Sequence, residues 1–190
     1  MDAQDRACFL SPAENGSIVA DLTLRRYEPC DCGAVLDLHE RALRDAGAYA
    51  DDLPDGAEAD LDDVEAAYLE RGGEFLVGER DGEIVAMGAF RPFEGSEAFD
   101  YPERDVPTAE IKRMRVSPEY QRQGDGEHLL RALEERAHER GRRRLVLDTG
   151  IEMTAAQSFY ESHGFEQVGR EEFPEYGVAV LLYERRLASP

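Results

Sequence analysis

The segment AEIKRMRVSPEYQRQGDGEHLLRALEERA, residues 109–137, constrains the fold more than any other part of the chain. It reads as a strand halted at Ser117-Pro118, a turn carrying Arg122, glycines at 124 and 126, and then a helix. Leu129, Leu130, Leu133 and Ala137 form one apolar face of that helix. Glycine at a helix entrance lets main-chain NH groups approach a ligand that a Cβ would hold off, and the first helical turn leaves several of those NH groups unpaired. The result is a socket for phosphate. No Gly-Lys-Ser/Thr follows, so this is not a nucleoside-triphosphate loop, and the three-glycine dinucleotide pattern is missing. Some other phosphate-bearing carrier is implied.

The flanking sequence predicts a mixed α/β domain. LTLRRYEP alternates as a strand, CGAVLDLHERALRDAG has helical spacing ending at Gly47, and ADLDDVEAAYLERGG predicts a second helix with Asp60 as its cap. EFLVGERDGEIVAMGAFRPF predicts a hairpin about Asp81-Gly82. The acidic loop EGSEAFDYPERDVPT is either a lid or a solvated excursion. After the glycine helix, which Gly141 ends, Arg142, Arg143 and Arg144 read as a solvated helix end complementing the dipole, with a phosphate clamp as the alternative. RLVLDT is a buried strand, MTAAQSFYESHGF a helix with Thr154 and Gln157 as a capping box, and FEQVGREEF with GVAVLLYERRL a closing antiparallel pair. The 190 residues suit one domain, expected at 22–187 after a polar extension at 1–21.

Charge limits the partners. The chain carries 42 acidic against 22 basic residues, a net charge of −20, and the acids are spread from end to end. All but one of the basic residues are arginine, the exception being Lys112. At molar salt the Debye length falls to roughly 3 Å, so such a surface no longer repels itself, and a halophile's cytoplasm is the expected setting. The competing account, an acidic protein docking a basic partner, would gather the acids on one element. Nucleic acid is disfavoured as a partner. The first residues carry acids where a signal peptide needs cations, and no apolar run approaches the roughly 18 residues of a membrane span, so a cytoplasmic protein is expected. Cys8, Cys30 and Cys32 read as reduced thiols, and no metal site is expected from them or the scattered histidines.

This order of elements and motifs resembles the GCN5-related N-acetyltransferase (GNAT) superfamily over roughly residues 22–187. Gln121, Gly124 and Gly126 match the family's Gln/Arg-x-x-Gly-x-Gly/Ala pattern, which binds the pyrophosphate of acetyl-CoA, and AAQSFYESHGF stands where the family places its second acyl-CoA motif. The resemblance implies a mostly antiparallel sheet splayed at the acetyl-CoA site and flanked by about four helices. It implies acetyl-CoA as cosubstrate, an amine acceptor, direct attack in a ternary complex, no metal, and is compatible with a homodimer.

The same resemblance assigns residues. The pantetheine arm would lie along Met114, Arg115 and Val116, with a main-chain NH near Met114 polarising the thioester, and the pyrophosphate would meet the run Gln121, Arg122, Gln123, Gly124, Asp125, Gly126 and Glu127. Tyr160 matches the tyrosine that protonates the departing thiolate, or else is a packed aromatic beside Phe159. Glu110 falls where one branch carries its general base, or else pairs with Lys112 on the same strand face. Asp125 departs from the family's apolar residue. It either opposes the pyrophosphate, with Arg122 offsetting its charge and salt strengthening binding, or caps the helix. A noncatalytic acyl-CoA-binding module is the alternative, and an interaction protein using its acidic surface is a third reading.

Overall fold

A computed structural model of the chain describes residues 21–49, 58–95, 99, 101 and 106–187. The strands are β1 Thr23–Arg26, β2 Glu74–Arg80, β3 Glu83–Pro92, β4 Thr108–Val116, β5 Arg144–Gly150, β6 Glu166–Phe173 and β7 Val178–Arg186. They form one sheet in the order β1-β2-β3-β4-β5-β7-β6. Neighbours pair antiparallel except β4 and β5, which run parallel. The α-helices are α1 Cys32–Asp45, α2 Ala59–Asp62, α3 Asp125–Glu139 and α4 Thr154–Ser162. This is the expected mixed α/β fold. The expected extension at 1–21 lies, apart from Asp21, outside the described residues, as does Cys8. No helix among the described residues is long and apolar enough to cross a membrane.

Local chemistry explains most of the elements. Asp81 and Gly82 both take positive φ, which sets the twist of the β2–β3 hairpin. On one sheet face Leu129, Leu130 and Leu133 of α3 are buried against Ala86, Phe90, Ile111 and Leu147. Full burial of each such leucine contributes about 1.5–3 kcal/mol, so packing outweighs helix propensity in fixing where α3 begins. The opposite face of β2 and β3 buries Val35 and Leu38 of α1 with Leu61, Val64 and Tyr68. Beyond it, over β5 and β7, Phe99 and Tyr101 of the acidic loop pack against Val146, Val180 and Leu182. Most of this loop, and with it the choice between lid and solvated excursion, lies outside the described residues.

Several local expectations are overturned. The second helix is not continuous: α2 ends at Asp62, Asp63 turns out at φ −142°, and a π-helical turn follows over Glu65–Leu69. Asp60 does not cap it, because its carboxylate is drawn to Arg113 and the Tyr68 hydroxyl. Thr154 and Gln157 form no capping box. Met153 holds the cap position, and Gln157 Nε2 instead donates to the carbonyls of Gly150 and Ile151, 2.9 and 3.0 Å away, tying α4 to the end of β5. Arg143 does donate to the α3 carbonyl of His138, but Arg144 is buried within β5, its guanidinium bonding Thr108 Oγ1 and Glu184, both at 3.1 Å.

Candidate functional site

The parallel pairing of β4 with β5 stops early. Thr108, Ala109 and Glu110 pair with Arg144, Leu145 and Val146, whereas β4 continues to Val116 and β5 to Gly150 without pairing. The sheet therefore splays beyond Glu110, and Lys112 Nζ spans the opening on one face to Asp148 Oδ1 at 3.2 Å. A bulge shapes the β4 edge. Gly88 of β3 faces both Arg113 and Met114, and Arg113 is left-handed at φ 56°. A Cβ on Gly88 would come within 2.6 Å of Met114 Sδ, so the absent side chain is what admits Met114 to the core. A non-glycine residue at positive φ carries strain of order 1 kcal/mol. The Arg113–Asp60 pair, with Nε 3.0 Å from Oδ2, offsets it.

At the far end of β4 the chain turns through Pro118–Tyr120, and Arg122 and Gly124 take φ of 60° and 95°. Gly124 occupies the cap position of α3, and no side chain caps this helix. The main-chain NH groups of its first turn thus face outward as donors. The side chains of the loop serve its own shape: Gln121 Nε2 donates to Val116 O at 3.2 Å, Gln123 Nε2 to Glu119 O at 2.9 Å, and Glu127 pairs with Arg131 one turn on. A Cβ at Gly126 would touch the Phe159 ring at 3.4 Å, which shows how closely α4 approaches the loop.

Asp125 does not hold the cap position, which belongs to Gly124. As the first residue of α3 its carboxylate turns inward to Arg80, with Oδ1 2.6 Å from Nη2 and Oδ2 3.1 Å from Nε, both side chains being under a tenth exposed. Arg80, at the end of β2, is the counter-charge expected of Arg122. The carboxylate expected to oppose a phosphate is thus paired with a buried guanidinium.

Tyr160 of α4 is buried, edge-on to Phe159 and Phe165. Burial pushes its phenol up to about 12, with the nearby Arg115 opposing and Asp148 adding to the rise. Arg115 itself lies in the splay. Its Nη1 donates to the Met114 carbonyl at 2.8 Å, its Nε is buried without a partner, and burial lowers its pKa. Val116 packs against the core near Gly126.

Glu110 is buried, with Oε2 accepting from Arg91 Nε at 2.7 Å and Oε1 3.7 Å from Lys112 Nζ. The ion pair weighed from the sequence is present, but its closer cation is Arg91. On the same sheet face a cavity of about 510 Å³ is lined by Asp60, Asp63, Arg71, Arg91, Lys112 and Arg113, with small alanines completing the wall. Behind it His39 Nε2 donates to Glu58 Oε1 at 2.6 Å. Burial lowers the His39 pKa, with Glu58 opposing and Arg115 and Arg113 reinforcing, so the ring is neutral at pH 7. Arg80, Arg91, Arg113 and His39 have no local signal in the sequence, since each gains its meaning from a partner at least 19 residues away.

Residues 34–165 match the acetyltransferase (GNAT) family. An amino-acid acetyltransferase of Azotobacter vinelandii is 28% identical over a 203-residue alignment covering 98% of this chain and 43% of that protein. The human N-acetyltransferase 8 is 31% identical over 130 residues, 65% of this chain and 52% of that one. The chain thus spans about half the length of these curated relatives. Among solved structures, a GNAT-family acetyltransferase of Staphylococcus aureus Mu50 superposes with a TM-score of 0.73 at 20% identity, covering 88% of this chain and all of that one. The protein yncA of Salmonella typhimurium, solved with its cofactor acetyl-CoA, gives 0.67 at 21% identity, covering 89% and 95%.

Proposed function

The chain belongs to the acetyltransferase (GNAT) family, and from that premise we propose that it transfers the acetyl group of acetyl-CoA to a primary amine by direct attack in a ternary complex. One juxtaposition carries the reading. The uncapped first turn of α3 stands at the end of the splayed β4 edge, with the buried Tyr160 phenol beside the opening. A pyrophosphate fits those NH donors, and the Asp125–Arg80 pair leaves no bare carboxylate against it.

Bound acetyl-CoA supplies an activated thioester carbonyl. The β4 backbone at Met114, Arg115 and Val116 orients the pantetheine arm, and Arg115 yields the Met114 carbonyl as it does so. The Met114 NH polarises the thioester oxygen. As the amine nitrogen bonds to the carbonyl carbon and the carbon–sulfur bond breaks, Tyr160 gives its proton to the sulfur and is reprotonated from solvent. A phenol pushed up to about 12 holds that proton throughout the neutral range. The amine's own proton leaves through water in the cavity. Glu110, both of whose oxygens face cations, positions Arg91 and Lys112 rather than taking that proton.

Tyr160→Phe and Glu110→Gln separate these roles. Tyr160→Phe should keep acetyl-CoA affinity and lower kcat by about 10²-fold, within the span typical of general acids. Unchanged kcat would reduce Tyr160 to packing. Glu110→Gln should raise KM for the amine without reshaping the pH profile, and a profile that loses its low-pH limb would restore Glu110 as the base.

A further inference from the structure

The cavity beside β4 opposes the charge of the molecule around it. In a chain with 42 acids and 22 bases, its wall presents Arg71, Arg91, Lys112 and Arg113 against Asp60 and Asp63. The two carboxylates are engaged to different degrees. Asp60 accepts from Arg113 and the Tyr68 hydroxyl, and Asp63 Oδ1 accepts from the Ala66 NH at 3.0 Å. Two of the cations are engaged only in part. Among the described residues Arg71 approaches a carboxylate no nearer than 4.0 Å, at the 80% exposed Glu94. Arg91 meets Glu110 through Nε, and its two terminal nitrogens have no hydrogen-bond partner among the described residues.

We infer that this cavity binds a carboxylate of the acetyl acceptor, so that the substrate is a small amino carboxylate, an α-amino acid. A guanidinium presents planar paired donors that match a carboxylate, and two of them on one wall discriminate strongly against a ligand lacking that group. The placement suits transfer. Lys112 and Arg113 immediately precede Met114 on the splayed edge, so a carboxylate held by Arg71 and Arg91 leaves its α-amine toward the thioester end of the cavity. A volume of about 510 Å³ is ample for an amino acid and its side chain. A polyamine would need several bare carboxylates, and of the two on this wall Asp60 is bonded to Arg113 while Asp63 offers Oδ2 alone.

The inference rests on the acetyltransferase reading, and its test has a readout independent of turnover. Calorimetric binding to the full chain with CoA present, and acetylation with acetyl-CoA, are each measured for the standard α-amino acids, their decarboxylated amines and spermidine. At least one amino acid should bind and be acetylated about 100-fold better than its decarboxylated amine. Arg71→Gln should weaken that amino acid about 10- to 100-fold, as loss of a charged hydrogen-bond donor does, with Arg71→Lys recovering part of it and acetyl-CoA affinity holding in both variants. Amino-acid binding that depends on Arg71 but gives no acetylated product would sustain the carboxylate site and sink the acetyltransferase reading. Equal use of the decarboxylated amines, a preference for spermidine, or indifference to Arg71→Gln would each overturn the carboxylate site.

Discussion

Asp125 and Arg80 lie 45 positions apart and form a pair with both partners buried. Removing the carboxylate from such a buried pair takes away both hydrogen bonds and most of the charge compensation, which costs about 3–5 kcal/mol. Asp125→Ile, which restores the apolar residue usual in the family, should therefore lower stability by that order in urea unfolding and fail to tighten acetyl-CoA at low salt. The double variant Arg80→Met/Asp125→Ile should recover most of the loss; tighter binding at low salt in the single variant would mean that the carboxylate faces the phosphate after all. Tyr160 also allows a pH statement. Its raised pKa of about 12 keeps the phenol protonated below that value, so no alkaline limb between about pH 7 and 10 should vanish in Tyr160→Phe. A limb in that window abolished by the substitution would contradict the assignment.

At the scale of elements, Glu74 ties the sheet to α3. It opens β2, is 2% exposed, and accepts from Arg26 of β1 at 2.7 Å and from Arg140 just past α3 at 2.7 Å. Burial alone would raise its pKa, but the hydrogen bonds from Arg26 and Arg140 outweigh that and lower it. A carboxyl depressed in the folded state contributes stability that is complete above its unfolded pKa and lost as pH falls through the folded one. Glu74→Gln should consequently destabilise at pH 7, and its deficit against the parent should narrow below about pH 4, as read by urea midpoints. A constant deficit at all pH would assign the effect to packing. Elements whose causes are local were legible in the sequence: the Asp81-Gly82 hairpin, the apolar stripe of α3, the strand before the glycines. The break in the second helix was not, because Leu61, Val64 and Tyr68 keep helical spacing and bury together while Asp60 answers to Arg113, 53 residues on. The β4 bulge was equally hidden, since nothing in the sequence around Arg113 announces a positive φ. In the candidate site, the glycine loop proposed for the pyrophosphate and Tyr160 could be located from motifs, whereas the cationic cavity is assembled from β3, β4 and the segment after α1 and exists only in the fold.

For the molecule as a whole, the net charge of −20 sets its response to salt. Self-repulsion among exposed carboxylates opposes the compact state and is screened as the Debye length falls toward about 3 Å. The thermal midpoint should thus rise by on the order of 10 °C between about 0.1 M and 2 M KCl, equivalent to roughly 3 kcal/mol for a chain of this size. A midpoint flat across that range would remove the argument for a salt-adapted surface. The central claim, amine acetylation at the splay of β4 and β5, is tested most directly in such salt. Acetyl-CoA is incubated with the protein and a broad panel of primary amines, and the products are followed by mass spectrometry together with thiol release. Acetylated amine and free CoA should appear in equal amounts, at a rate set by both substrates and lowered by Tyr160→Phe. Acetyl-CoA that binds tightly yet keeps its thioester intact with every amine would contradict the account and leave a noncatalytic acyl-CoA-binding module in its place.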